Sequence, residues 1–161
     1  MILLPAQSFS LPMNNLYTTN IATYDLITFT KISGDNLTFS SVLTSYPVAQ
    51  NATTTVTIKI VGGSNTLVFG CGQKNTALLS SMYFGQMANT LGFSALSGQK
   101  IISGFGIPYN VSANVGDFIT MKIDLHPSAM NVEFQKNSVS MGMAFGGLGD
   151  WGEIYIGLSL G

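Results

Sequence analysis

The stretch Gly116–Gly161, GDFITMKIDLHPSAMNVEFQKNSVSMGMAFGGLGDWGEIYIGLSLG, decides the fold. Four apolar-rich runs lie in it, each closed by turn chemistry. Gly116-Asp117 opens Phe118–Leu125, and His126-Pro127-Ser128 turns that run into Met130–Gln135. Lys136-Asn137-Ser138 turns again into Val139–Phe145, and a glycine-rich bend leads into Glu153–Leu160. Runs of this length joined by turns this short predict an antiparallel meander.

Working upstream, Thr53–Val61 is a run of Thr, Val and Ile interrupted by Lys59, with Val56, Ile58 and Ile60 on one face. Gly62-Gly63-Ser64-Asn65 supplies a hairpin turn, and Thr66–Cys71 returns. Thr90–Ala95 and Lys100–Ser103 form a second hairpin around Leu96-Ser97-Gly98-Gln99, and Gly104–Gly116 reads as a connection into the meander. Asp25–Lys31 alternates as a half-buried strand does, and Ser33-Gly34-Asp35 turns it into Asn36–Ser40. Val42–Asn51 contains Tyr46-Pro47 and reads as a loop or bulged edge, because proline cannot donate to a central ladder. Gln73–Ala88 reads as a long loop with a short strand near Met82–Phe84, and Ser8–Leu11 as a short edge strand. Short strands at regular spacing argue for a sandwich.

Composition narrows the function. At 161 residues the chain suits a single domain over 1–161, with 1–24 as an N-terminal extension or edge strand. Only 8% of residues are charged, against about 25% in an average soluble domain, and all the basic residues are lysines scattered singly. A net charge of −1 without a basic cluster argues against nucleic acid, whose binding rests on phosphate neutralisation. Mean hydropathy is +0.36, yet no run approaches the ~18 apolar residues of a membrane helix. Met1–Pro5 lacks the charge and length of a signal peptide, and one free cysteine is compatible with a cytoplasmic setting. Sparse charge suits either a tightly packed sandwich with a Ser/Thr/Asn surface or a surface that is itself covered in an oligomer or shell.

The order of motifs resembles the C-terminal half of a SPRY (B30.2-type) domain. Gly116-Asp117 opens a strand ending Ile123-Asp124-Leu125, Phe134-Gln135-Lys136-Asn137 follows, then Met141-Gly142-Met143-Ala144-Phe145, then Ile154-Tyr155 and Ser159-Leu160-Gly161. Asp35-Asn36-Leu37-Thr38-Phe39 is similar to that family's early strand, so the likeness spans roughly residues 26–161. Ser138 stands where the family has a turn glycine, Ile156 where it has proline, and Thr55-Val56-Thr57 where it has a tryptophan. The family pattern also continues with one more strand beyond Ser-Leu-Gly. The resulting open edge is expected to be covered by Ser8–Leu16 or by a neighbouring subunit. The resemblance implies an all-β antiparallel sandwich, jelly-roll and concanavalin A-like. It also implies recognition of a protein or peptide by loops at one end, including the loop at Met82–Leu91.

Few residues suggest chemistry. Gly147-Leu-Gly149-Asp-Trp-Gly152 matches the dinucleotide spacing, but a β-patterned run follows instead of the helix that would receive the pyrophosphate. His126 and Asp124 share a strand face without a nucleophile beside them. Cys71 reads as a small core residue. Asn36, Asn51 and Asn110 each begin a glycosylation sequon of the kind that chance produces in a chain this rich in Asn, Ser and Thr. No cofactor, metal or enzymatic activity is expected. The expected partner-binding residues are Tyr83, Phe84, Met87 and Tyr109, with Asp150 and Trp151 in the glycine-rich loop. Two other roles stay open: a self-associating structural subunit of a shell, filament or virion, and a lectin-like carbohydrate binder.

Overall fold

The computed structural model describes residues 2–5, 9–10, 18–19, 26–29, 40–44, 47–60, 66–74, 82–109 and 112–161. Every regular element among them is a strand. In chain order these are β1 (Ile2–Pro5), β2 (Phe9–Ser10), β3 (Thr18–Thr19), β4 (Leu26–Phe29), β5 (Ser40–Thr44), β6 (Ala52–Ile60) and β7 (Leu67–Gly72). Then come β8 (Thr90–Ser94), β9 (Gln99–Ile102), β10 (Phe105–Pro108), β11 (Phe118–His126), β12 (Ala129–Lys136), β13 (Val139–Leu148) and β14 (Tyr155–Leu160). One sheet has the order β13-β12-β11-β6-β1-β4, the other β10-β9-β8-β7-β14-β5-β2-β3. Every pairing is antiparallel. The molecule is an all-β antiparallel sandwich.

The sheets face each other because their sequences alternate. Along β11, Ile119, Met121, Ile123 and Leu125 point inward, while Phe118, Lys122 and His126 stay exposed. Val56, Ile58 and Ile60 of β6 and Met130, Val132 and Phe134 of β12 join them. The eight-stranded sheet answers with Phe69, Cys71, Leu91, Phe93, Ile156 and Leu158. Phe134 is the ring on which the layers meet, with Phe93 at 5.2 Å and Phe69 at 6.2 Å between centroids. Such offset and edge-on geometries suit the ring quadrupoles.

The four predicted runs become β11 to β14 with boundaries shifted by at most three residues, but the meander ends at β13: β14 crosses to the other sheet and lies between β7 and β5. Further readings need correction. Ser40–Thr44 is an interior strand between β14 and β2, and Pro47 lies beyond its end, where its missing N–H interrupts no ladder. Met82–Phe84 enters a turn, not a strand. The supposed connection Gly104–Gly116 contains β10, which forms one edge of its sheet. Asn36–Phe39 and residues 11–16 lie outside the described residues. Phe9–Ser10, expected in an edge strand, lies instead between β5 and β3, and Ile2–Pro5 is likewise interior, between β6 and β4.

Candidate functional site

The outer face of the eight-stranded sheet carries a channel of missing side chains. Gly70 pairs with Gly92 on one side and with Gly157 on the other. Into this strip drops Phe84, fully buried against Leu43, Val68 and Ile101. A Cβ on Gly70 would collide with the Leu91 carbonyl and stand 2.6 Å from Phe84 Cβ. One on Gly92 would lie 2.8 Å from the Phe84 carbonyl oxygen. Glycine here makes room for a second layer, a use distinct from its freedom in turns.

Two serines clip that layer down. Ser159 and Ser41 on adjacent strands share a buried hydrogen bond of 2.7 Å. The Phe84 N–H donates to Ser159 Oγ at 3.2 Å, and Ser41 Oγ donates to the Met82 carbonyl at 3.2 Å. Thr90 closes the segment, donating to the Met87 carbonyl at 2.8 Å while accepting from the Gly85 N–H at 3.0 Å. Phe84 is therefore a core anchor and presents no contact surface, contrary to its expected role. Tyr83 and Met87 pack half-buried around it with Tyr155.

At the strand ends beyond Gly72, a second loop is tied to the first. The Gly152 N–H donates to Asp150 Oδ1 at 2.7 Å, a side-chain turn completed by Gly152 at φ 72°. Gln73 Nε2 donates to the Trp151 carbonyl at 2.5 Å, and Gln73 Oε1 accepts from Asn89 Nδ2 at 3.0 Å. The Gln73 N–H also donates to the Asn89 carbonyl at 3.0 Å. One glutamine thus joins the 82–89 segment to the 149–154 loop. Trp151 is half-buried against the main core, and the Val48 N–H pins the far side of its loop at the Ile154 carbonyl, 2.8 Å away.

Tyr109 does not join this group. Its N–H donates to the Gly98 carbonyl, at the opposite end of β8 from Asn89. Its ring packs edge-on against Phe93 at 6.0 Å and Phe134 at 6.4 Å, and its hydroxyl donates to the Gly142 carbonyl of β13. Burial, more than the nearby Glu133 carboxylate, holds the phenol above its ordinary pKa against a hydrogen bond that lowers it. Beside it, Lys100 Nζ donates to the Ala144 carbonyl at 2.7 Å, 5.8 Å from the Tyr109 ring centroid and 5.6 Å from that of Phe145. These contacts staple the two sheets along one flank.

The remaining candidates carry no catalytic geometry. Cys71 is buried, and burial pushes its thiol pKa upward, away from a reactive thiolate. Asp124 stands between His126 Nε2 at 3.4 Å and Thr53 Oγ1 at 3.1 Å, so the carboxylate, not the imidazole, faces the hydroxyl. A nucleophile needs the reverse order. Among the described residues no cluster of three His, Cys, Asp or Glu side chains fits a metal. Of the sequon asparagines, Asn51 is exposed in a turn, while Asn36 and Asn110 lie outside the described residues. Phe105 and Ile107, exposed on β10, are among the apolar surface residues that the sequence reading passed over. Their signal was Ser103-Gly104, a two-residue hairpin turn with both φ angles positive.

No protein-family profile and no curated protein matches this sequence. Solved structures do. The chain is similar to a human SPRY domain, with TM-score 0.65 and 18% identity over 79% of this chain and 81% of that one. It is also similar to the SPRY domain of human HERC1, with TM-score 0.61 and 19% identity over 76% and 75% of the two chains. The fold is SPRY-like, as the order of its motifs implied.

Proposed function

We propose that this chain is a non-catalytic recognition module that binds a protein or peptide through the paired loops 82–89 and 149–154. The observation that carries this reading is the Gln73 bridge, which joins the Trp151 and Asn89 backbones into one surface. A surface ordered before binding loses less entropy on association. It presents half-buried Trp151, Tyr83 and Met87, two of them of the aromatic types that dominate binding hot spots. The SPRY-like fold supports the same reading, since partner recognition by loops at one sandwich end is what that resemblance implies. The notion of one common site over six residues is narrowed: Tyr109 and Phe84 serve packing, and Asp150 shapes the Trp151 loop.

The test is selection of peptides from a random display library on the intact protein, with each binder then titrated against variants. Binders should lose affinity at least tenfold with Trp151→Ala or Tyr83→Ala and stay unchanged with Ser97→Ala, at the other end of the sandwich. Binders indifferent to both aromatic variants would overturn the reading. So would a glycan array giving Trp151-dependent sugar binding while no peptide binds.

A further inference from the structure

Six large apolar side chains are exposed among the described residues, and four of them lie on just two strands. Phe105 (72% exposed) and Ile107 (42%) are on β10, Val139 and Met143 on β13. β10 ends one sheet, opposite β3, and β13 ends the other, opposite β4. The Lys100–Ala144 and Tyr109–Gly142 hydrogen bonds place both edges on the same flank. Natural sheets guard such edges with lysines, bulges or covering loops. Here neither edge strand carries an ionisable side chain and the lysine of the adjoining β9 is turned inward, but β13 is bulged against β12, which leaves β10 as the regular edge.

The backbone of β10 defines what fits it. Phe105 pairs with Ile102 across the Ser103-Gly104 turn, and Ile107 pairs with Lys100. In a two-residue hairpin those pairs exchange hydrogen bonds, so Gly106 between them directs its N–H and C=O away from β9. Pro108 has no N–H, and the Gly104 N–H is taken by the Gly85 carbonyl at 2.8 Å. Among the described residues the rim therefore offers a single donor–acceptor pair, at Gly106, flanked by Phe105 and Ile107.

We propose that β10 pairs with β10 of a second copy of this chain about a two-fold axis at Gly106. The arrangement is self-complementary. Each Gly106 N–H donates to the other Gly106 carbonyl, and each Phe105 meets the partner's Ile107 in the close, non-hydrogen-bonded register. An uncharged edge neither repels a copy nor selects a charged partner, which favours this occupant over a foreign segment. The ladder stops after two hydrogen bonds, because Pro108 and the Gly85 contact block the next pair. So short a strip falls in the small-interface class, below about 1,200 Å², and the dimer forms by mass action at high protein concentration.

The test uses the whole chain. Light scattering over a wide concentration range should show the mass rising from one copy toward two, and Ile107→Lys should abolish the rise. A Gly106→Cys variant should cross-link to itself on mild oxidation, since residues of a hydrogen-bonded antiparallel pair have Cα atoms about 5.5 Å apart. The added Cβ meets only the tip of the Gln99 side chain, at 2.6 Å, and the native Cys71 is buried. Exposed Phe105→Lys is the second variant, should Ile107→Lys fail to fold. A monomer at every concentration overturns the proposal, as does cross-linking no faster than that of a Ser97→Cys control. Dimers that persist in both lysine variants overturn it too. None of these outcomes bears on peptide binding at Trp151, so the two proposals fail separately.

Discussion

Asn137 and Asp117 interlock across the β11–β12 hairpin: Asn137 Nδ2 donates to Asp117 Oδ1 at 2.7 Å, and Asn137 Oδ1 accepts from the Phe118 N–H at 2.8 Å. Asp117 Oδ2 accepts the Asn114 N–H at 2.8 Å and lies 3.1 Å from Lys136 Nζ, which also donates to the Ser112 carbonyl. The Gly-Asp and Lys-Asn motifs are thus two halves of one knot. Asn137 sits at φ 51°, a conformation that asparagine tolerates better than most residues.

Replacing Asn137 by Ala should therefore cost about 1–3 kcal/mol, since it removes a bond to a charged group and leaves the Phe118 N–H to water. Asp117→Ala should cost a similar amount. The double variant should cost less than the sum, as measured by urea unfolding in a double-mutant cycle. Strict additivity would show that the knot does not act as a unit.

The same knot predicts an acid sensitivity. The Asn114 N–H, the Asn137 amide and Lys136 hold the Asp117 carboxyl below its usual pKa. A depressed folded pKa adds stability that is complete above the unfolded value, about 3.9, and disappears as pH falls through the folded value. The stability gap between the wild type and Asp117→Asn should shrink over that window. A gap independent of pH would contradict the assignment.

Phe84 fills the glycine strip on the outer face, so Phe84→Ala should destabilise by about 3–5 kcal/mol although it lies outside the layer between the sheets. Gly70→Ala should cost more than about 2 kcal/mol, because its Cβ meets the Leu91 carbonyl, which cannot swing aside. Thermal unfolding followed by circular dichroism measures both. A neutral Gly70→Ala would mean that the strip is looser than its geometry.

Trp151 is the single tryptophan, so emission excited beyond the tyrosine absorption band reports its loop alone. Gln73→Ala removes the bond to the Trp151 carbonyl and should shift the emission red and increase acrylamide quenching, with little change in stability. An unchanged spectrum would place the restraint on that loop elsewhere, at Val48 or in the Asp150 turn.

The β11–β13 part of the meander was legible because its cues are local, whereas the crossing of β14 to the other sheet was not. Alternation along Phe118–His126 and the turns at Pro127-Ser128 and Asn137-Ser138 are each complete within a few residues. Burial of Phe84 was not legible, because the space it needs is made by Gly70 and Gly92, on two strands that only the fold brings together. β5 was misread because Pro47 suggested a broken edge, when it stands just past a complete strand. In β10, Gly106 and Pro108 read as punctuation, yet a glycine and a proline in a four-residue strand suit an outermost position. The Trp151 loop was singled out by its residue types, but its tie to Asn89 runs through Gln73, which no motif marked.

The placement of β14 bears on how the chain acquires its structure. Tyr155–Leu160 lies between β7 and β5, joining strands separated by more than twenty residues of sequence. Until those residues leave the ribosome, β5 and β7 both wait with open edges, and the eight-stranded sheet exists only as two fragments. The order of synthesis thus leaves the central seam of that sheet for last, a late, non-local closure of the kind that makes β-sandwiches slow to fold and sticky while they wait.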